Sequence, residues 1–446
     1  MHQSPRRRFL KSSAQAAIFA GPLLKTGFAK SSPNETVNVA VMGIRGQGSF
    51  HLKNYPKVPN VKVVAVCDID ERLFPKTLDK VEAAAGYRPK TYTDIRRLLE
   101  NKDIDAISVA APNHWHALAT IWACQAGKDV YVEKPASYCI NEGRRMVQAA
   151  KAHGRVVQVG THHRSRPIVR SGVEYLHSGK LGKIYMIKCV CFRPREDIGR
   201  KPDSAAPAEV HYDLFRGPAP MIPFNENRFH YNWHWFWDTG NGETGNNGPH
   251  MTDMARHILQ KREHPNRVMS MGGLDVYRGT QETPNSQLSC LEYADGTRVQ
   301  LEVRGLYTNA EDKITMGLIV YGSEGWMHLG FDQWATYFGR KNEPGEHCSE
   351  AKANARSEEF QKFGDDGPIH YANFINTVRS RKLEGLHTGI EEGHWSAALC
   401  HLSNIAYRTG RTLVFDTKTE KFVSDKEADR LLTREYRAPF VVPDKV

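Results

Sequence analysis

The sequence predicts an α/β protein of two domains, the first built on a parallel sheet wrapped by helices and the second on a largely antiparallel sheet with one open face. Three observations predict it. From Val37 to about Gly160, short apolar runs alternate with helical stretches, and strands alternating with helices pair in parallel with both faces covered. After Gly160 the strands lengthen and alternate loosely, and two of them meet across Ala294-Asp295-Gly296-Thr297, a hairpin signature. The 446 residues are too many for one small core and suit two domains.

The elements of the first domain follow in order. Val37–Met42 is an apolar run stopped by Gly43, Val61–Cys67 is a second closed by Asp68, and residues 105–110, Asp129–Val132 and 155–159 complete the set. Helices are expected over 116–125, closed by Gly127, and over 141–152, closed by Gly154. In the second domain the strands are Ile184–Phe192 and residues 288–293, 298–303 and 315–321, with helices over 249–260, 369–379 and 390–408. The domain boundaries read as 37–160 and 161–446. None of the eight cysteines forms Cys-x-x-Cys, so mostly buried free thiols and no metal site are expected.

Residues 1–29 read as an export signal. Pro5-Arg6-Arg7-Arg8-Phe9-Leu10-Lys11 resembles the twin-arginine motif, with Pro5 where Ser or Thr is usual. A short apolar stretch, residues 14–24, and the small residues Gly27 and Ala29 complete a cleavable signal. The expectation is a periplasmic protein, delivered folded by the twin-arginine machinery and free of the membrane after processing. Removing this segment removes five basic residues and no acids, so the formal charge of +11 falls to +6. The remaining basic residues form no block, which argues against nucleic-acid binding.

Gly43-Ile44-Arg45-Gly46-Gln47-Gly48 ends the first strand and precedes a helix. Glycine there lets the backbone turn tightly and approach a pyrophosphate at the helix N-terminus, although Arg45 stands where the middle glycine of G-x-G-x-x-G belongs. Asp68 ends the second strand twenty residues after Gly48, where an acid accepts from both ribose hydroxyls of NAD. Its charge disfavours the extra phosphate of NADP, and Arg72 nearby keeps NADP as the lesser alternative. Residues 37–160 are therefore read as a Rossmann dinucleotide-binding domain.

Further motifs sharpen this reading. Ala110-Ala111-Pro112-Asn113-His114-Trp115-His116 follows one strand and Val132-Glu133-Lys134-Pro135 the next. Tyr212-Asp213-Leu214-Phe215-Arg216-Gly217-Pro218-Ala219-Pro220, Gly245-Asn246-Asn247-Gly248-Pro249-His250-Met251-Thr252-Asp253 and the stretch from Glu391 to His401 continue the pattern. From Val37 to Pro443 the chain resembles the Gfo/Idh/MocA oxidoreductases, and the last stretch resembles exported members. The resemblance implies a nicotinamide-dependent sugar oxidoreductase with a second substrate-binding domain, and homo-oligomers are common in the family. It implies cofactor contacts from Pro112, Asn113, His116, Glu133 and Lys134, with Lys134 near the nicotinamide and often a cis bond before Pro135. The family's D-x-x-x-H pair falls on Asn246 and His250, so the histidine is kept and the aspartate is not.

Alcohol oxidation needs a hydride acceptor, a base and a donor that steadies developing charge. His250 is favoured as base and Lys134 as orienting relay, with the reverse order open. Asn246 can hold a sugar hydroxyl, and Asp253, one helical turn after His250, can orient it or bind substrate. Trp233, Trp235 and Trp237 offer faces for sugar rings, though their alternation equally fits a buried strand edge. His230 and Arg164 are candidates for the pocket rim. Export removes the protein from the cytosolic NAD pool, so a tightly held, recycled cofactor is expected. The alternatives are a glycosidase acting by transient oxidation and elimination, and a non-catalytic module that keeps NAD as a structural part.

Overall fold

The computed structural model describes residues 36–306, 310–311 and 313–446, so the export-signal reading of residues 1–29 lies outside the described residues. Two sheets organise the chain. The first holds β1 (Val37–Met42), β2 (Val61–Cys67), β3 (Lys90–Tyr92), β4 (Ala106–Val109), β5 (Asp129–Val132) and β6 (Val157–Val159), all parallel, in the order β3-β2-β1-β4-β5-β6. This is the predicted Rossmann arrangement. Its strand order reverses between β1 and β4, and a crevice opens beyond the strand ends at such a switch. Met42 pairs with both Cys67 and Val109, so the turns beginning at Gly43, Asp68 and Ala110 leave the sheet at one level.

Helices Asn113–Gln125 and Ile140–Ala152 cover one face of this sheet. The other face draws on the second half of the chain. Val39, Val41, Val63 and Tyr131 form an aliphatic and aromatic stripe that the eight-residue helix Gln47–Asn54 is too short to cover. Helix Gly367–Ser380, from the far end of the chain, lays Tyr371, Phe374, Ile375 and Val378 on it, while Phe440 and Val442 pack on the opposite face. The first domain thus completes its core with residues from the second half.

The second sheet has ten strands: β7 (Ile184–Phe192), β8 (Arg267–Gly273), β9 (Ser286–Glu292), β10 (Arg298–Arg304), β11 (Met316–Gly322), β12 (Gly325–Leu329), β13 (Gln333–Phe338), β14 (Glu343–Ser349), β15 (Leu413–Asp416) and β16 (Lys421–Phe422). Their order is β14-β13-β12-β11-β7-β10-β9-β8-β15-β16. Neighbours are antiparallel except β7 with β10. Helices Gly248–Leu259 and Ile390–Thr409 bury one face, and the latter also packs against Ile140–Ala152, locking the two domains together. The other face stays open around Met269, Leu288 and Met271, the last 74% exposed.

No disulfide links any of the eight cysteines, and all but Cys290 are buried. His264, His394 and Glu420 gather at distances a metal could bridge, a grouping the sequence did not disclose. The arrangement is an ion-pair node. Glu420 Oε1 already faces His264 Nε2 at 2.7 Å, His394 Nε2 at 2.9 Å and Arg144 Nη2 at 2.6 Å, so a guanidinium stands where a cation's charge would. Among the described residues, no helix is long and apolar enough to cross a membrane.

Candidate active site

A cavity of about 440 Å³ runs along the crevice, from the glycine turn after β1 to the helix Gly248–Leu259 of the second domain. At the first end Gly43 has φ +81°, and a Cβ there would stand 2.6 Å from the Ala110 carbonyl oxygen. Gly46 has φ +47° with nothing within 4 Å of where its Cβ would stand, so bare backbone faces open space before helix Gln47–Asn54. That cradle fits a pyrophosphate on a helix N-terminus. Gly48 fits its helix against the turn, because a side chain there would fall on the Gly43 carbonyl.

Asp68 accepts from Ile44 N at 2.8 Å through Oδ2 and from Asp70 N at 3.0 Å through Oδ1. The carboxylate keeps a lone pair for the cavity it lines. Burial pushes its carboxyl up to about 6. Arg72 turns to Asp70, at 2.7 Å, while Arg45 is exposed on the cavity wall.

At the other end the chain brings Lys134, Asn246 and His250 together. Lys134 follows β5 and precedes a cis Lys134-Pro135 bond, and its Nζ donates to Asn246 O at 2.9 Å and Asn246 Oδ1 at 3.2 Å. Burial lowers the lysine from its ordinary value, with Glu133 and Glu243 opposing and Arg195 and Arg193 assisting. His250 is 4% exposed on helix Gly248–Leu259, and its Nδ1 has no hydrogen-bond partner. Burial, together with His163, His162 and Lys134 nearby, holds its imidazole well below the usual value and therefore neutral.

Several sequence candidates shape the cavity rather than face into it. Glu133 receives Gln47 Nε2 at 3.2 Å and the Lys134 backbone N–H at 3.2 Å, and pairs with His51 Nε2 at 3.0 Å, so it ties the glycine-turn helix to the lysine. Burial pushes its carboxyl up, but the His51 hydrogen bond and the charges of His51 and Lys134 outweigh that and hold it at about 2. His116 places its ring nitrogens 2.6 Å from Pro135 O and 2.8 Å from Ala111 O, and Asn113 donates to Asn241 Oδ1 at 3.0 Å. Pro112, Asn113 and His116 all line the wall between the two ends.

Others are corrected. Asp253 neither orients His250 nor reaches the cavity: it is fully buried and takes Arg164 at 2.7 and 2.8 Å with Ser396 Oγ at 2.9 Å. The same pair removes Arg164 from the pocket rim, because a buried carboxylate and a buried guanidinium each need the other. The three tryptophans do not share a strand. A 3-10 turn, Asn232–Trp235, lays Trp233 on the cavity wall against His234, ring centroids 3.6 Å apart. Trp235 is buried beneath Arg195 at 5.4 Å, and Trp237 packs against Arg408 at 5.0 Å, away from the cavity lining. His230 lines the nucleotide end, 3.5 Å from Asp70, rather than the substrate rim.

Four features of the site carry no mark that the sequence pattern singled out. His162 and His163 follow β6 and pack against His250, with ring centroids 5.0 and 4.4 Å away. Their position after a strand of the switch-point sheet was the available signal. Arg193 and Arg195 follow β7 into the cavity. Glu243, three residues before Asn246, pairs with Arg195 at 2.9 Å. Last, a segment of the second domain straps over the nucleotide end. His211 N donates to Ile69 O at 2.8 Å, Glu71 N to Glu209 O at 3.0 Å, and Leu214, Phe215 and Phe229 wall the cavity there.

Two family models match the chain. One is described as an oxidoreductase family with an NAD-binding Rossmann fold, at residues 37–161, and the other as the C-terminal alpha/beta domain of the same oxidoreductases, at residues 197–333 and 351–442. Levoglucosan dehydrogenase of Pseudarthrobacter phenanthrenivorans is 23% identical over 324 residues, 65% of this chain and 74% of that one. Inositol 2-dehydrogenase of Salmonella typhimurium is 32% identical over 154 residues, 34% of this chain and 45% of its own length. Several curated relatives are matched over less than half their length. The WlbA dehydrogenase of Bordetella pertussis, crystallised with NADH and UDP-GlcNAcA, shares the fold with TM-score 0.63 at 20% identity, covering 86% of this chain and 99% of that one.

Proposed function

This chain belongs to the Gfo/Idh/MocA oxidoreductase family, and on that basis we propose that it oxidises a secondary hydroxyl of a sugar, polyol or glycoside with an NAD kept through successive turnovers. One observation carries the reading: Lys134 from the first domain and His250 from the second meet at the end of a cavity whose other end is the glycine turn. Bound there, the nicotinamide supplies the hydride acceptor. The His250 imidazole, held neutral by burial, takes the hydroxyl proton. Lys134 gives two N–H groups to Asn246 and keeps the third for the substrate oxygen. Tyr231 and Trp233 offer aromatic faces for the apolar side of a ring.

The strap at residues 209–211 supports a retained cofactor, because its backbone bonds to Ile69 and Glu71 tie the second domain to the nucleotide end of the cavity. Retention suits an exported enzyme. The Arg6-Arg7 pair supports export: Arg6→Lys with Arg7→Lys is expected to leave uncleaved precursor in the cytoplasm, read by fractionation and immunoblot. Normal periplasmic accumulation of that variant would remove the twin-arginine reading.

The function is tested by single turnover. Protein purified without added nucleotide, offered a panel of hexoses, inositols, levoglucosan and disaccharides, is expected to gain near-ultraviolet absorbance from reduced nicotinamide, which a ketosugar then bleaches. Protein that arrives without nucleotide yet turns over with added NAD makes it an ordinary dehydrogenase; no reduction with any polyol moves the reading to a binding module.

Asp68 is proposed to read the ribose. Its carboxyl titrates at about 6, so preference for NAD over NADP holds above that pH and weakens below it as the acceptor is lost. Asp68→Ala is expected to lose the preference at every pH, by roughly tenfold for one charge-assisted hydrogen bond. Nucleotide affinities measured by calorimetry at several pH values check both statements.

A further inference from the structure

The Lys134–Asn246 contact depends on which way the asparagine amide points. An amide offers one accepting oxygen and one donating nitrogen, and an ammonium accepts nothing. Lys134 Nζ meets Asn246 Oδ1 at 3.2 Å, so Nδ2 must face acceptors on its other side. Two groups stand there: Tyr231 OH at 3.2 Å and Glu243 Oε2 at 3.3 Å. The phenol donates or accepts equally well and settles nothing. The carboxylate only accepts, so it decides the amide's orientation.

Glu243 is itself held firmly. It is 2% exposed on the short helix Gly242–Asn246, one turn before Asn246. Arg195 Nε donates to Oε2 at 3.0 Å, Arg195 Nη2 to Oε1 at 3.1 Å, and Asn247 Nδ2 also donates to Oε1. Arg195 is fixed in turn over Tyr231 and Trp235, with its guanidinium 5.5 and 5.4 Å from their ring centres.

We propose that Glu243 is a positioning residue for Lys134: its carboxylate locks the Asn246 amide with the oxygen toward the lysine and supplies negative charge to the reacting end of the cavity. The inference takes its catalytic consequence from the dehydrogenase reading, but the contact itself is a property of the chain. The charged groups around Lys134 are the acids Glu133 and Glu243, which favour the ammonium, and Arg193 and Arg195, which oppose it. The imidazoles of His116, His162, His163, His234 and His250 complete the surroundings, each pushed down from its ordinary value by burial.

Glu243→Gln removes a negative charge, leaves the other groups in place, and lets the amide at 246 turn either way. The ammonium loses support, so Lys134 gives up its proton at lower pH. The measurement is competitive labelling of the purified protein with acetic anhydride across pH, with acetylation of the Lys134 peptide read by mass spectrometry. The midpoint is expected to fall by about one pH unit in Glu243→Gln, and the pH limb of turnover that follows Lys134 moves with it. Adding Asn246→Asp to that variant returns a carboxylate beside Lys134, and the midpoint is expected to return to within a few tenths of a unit of wild type. If Glu243→Gln alone does not fold, Glu243→Asp replaces it: the shorter carboxylate draws back from the Asn246 amide, and the midpoint is expected to fall in the same direction, while an unchanged midpoint overturns the proposal. An unchanged midpoint in Glu243→Gln, with the fold intact, overturns the proposal. So does a double variant that stays shifted. The labelling needs no substrate, so it reads the Glu243 coupling whether or not any polyol is oxidised.

Discussion

Lys134→Ala lowers turnover by between about a hundredfold and ten-thousandfold, the range for losing a positioned proton-transfer group, while bound nucleotide and melting temperature stay close to wild type. The effect is large because neither Arg195 nor the surrounding imidazoles can replace the ammonium. Arg195 is committed to Glu243, and the surrounding imidazoles are pushed down from their ordinary value by burial. The fold tolerates the loss because Lys134 is half-buried at a cavity wall, and its two bonds go to Asn246, whose amide keeps Tyr231 and Glu243 as partners. His250→Ala is expected to fall in the same range. Single-turnover reduction of bound nucleotide measures both. Full activity in His250→Ala would transfer the base role to Lys134, because Asp253 is sealed against Arg164 and cannot take it.

Gly48→Ala has the largest expected structural effect. The new methyl falls on the Gly43 carbonyl, and both groups are backbone of one tight turn, so no side chain can swing aside. Relief requires opening the junction between β1 and helix Gln47–Asn54, which also carries the Gln47 and His51 contacts to Glu133. Overpacking of this kind costs about 3 kcal/mol, and the distorted turn no longer holds pyrophosphate. Thermal melting and the nucleotide released on denaturation read the two consequences. Gly46→Ala separates clash from conformation: it meets no atom within 4 Å and carries only the strain of φ +47°, ψ −114°, outside the left-handed helical basin, about 1–3 kcal/mol. A Gly48→Ala protein that melts like wild type with its nucleotide in place would contradict the packing at this turn.

Much of the first domain was legible because its signals are local. β1, β2 and β5 have the bounds that their apolar runs predict, and the glycine turn, Asp68 and Lys134 all sit where a strand ends. A buried parallel strand must be continuously apolar, and a turn that approaches a ligand must be glycine, so each leaves its mark in a few adjacent residues. β3 and β14 escaped detection for the opposite reason: they are short or mostly exposed edge strands with little apolar pattern.

The order of residues along the chain was enough to specify the family of chemistry. It set a nucleotide turn, a lysine at a strand end and a histidine at a helix start in succession. Which polar groups face the cavity and which face each other depends on the folded chain alone. Asp253 and Arg164 lie 89 positions apart, Lys134 and Asn246 lie 112 apart, and Arg195 finds Glu243 across 48. A buried charge takes whichever partner the packed backbone brings within about 3 Å, and nothing in its own neighbourhood of sequence specifies that partner. The same holds for helix Gly367–Ser380 on the first sheet and for the strap on Ile69 and Glu71. An apolar stripe or a free backbone edge declares that it must be covered, and only the folded chain supplies what covers it.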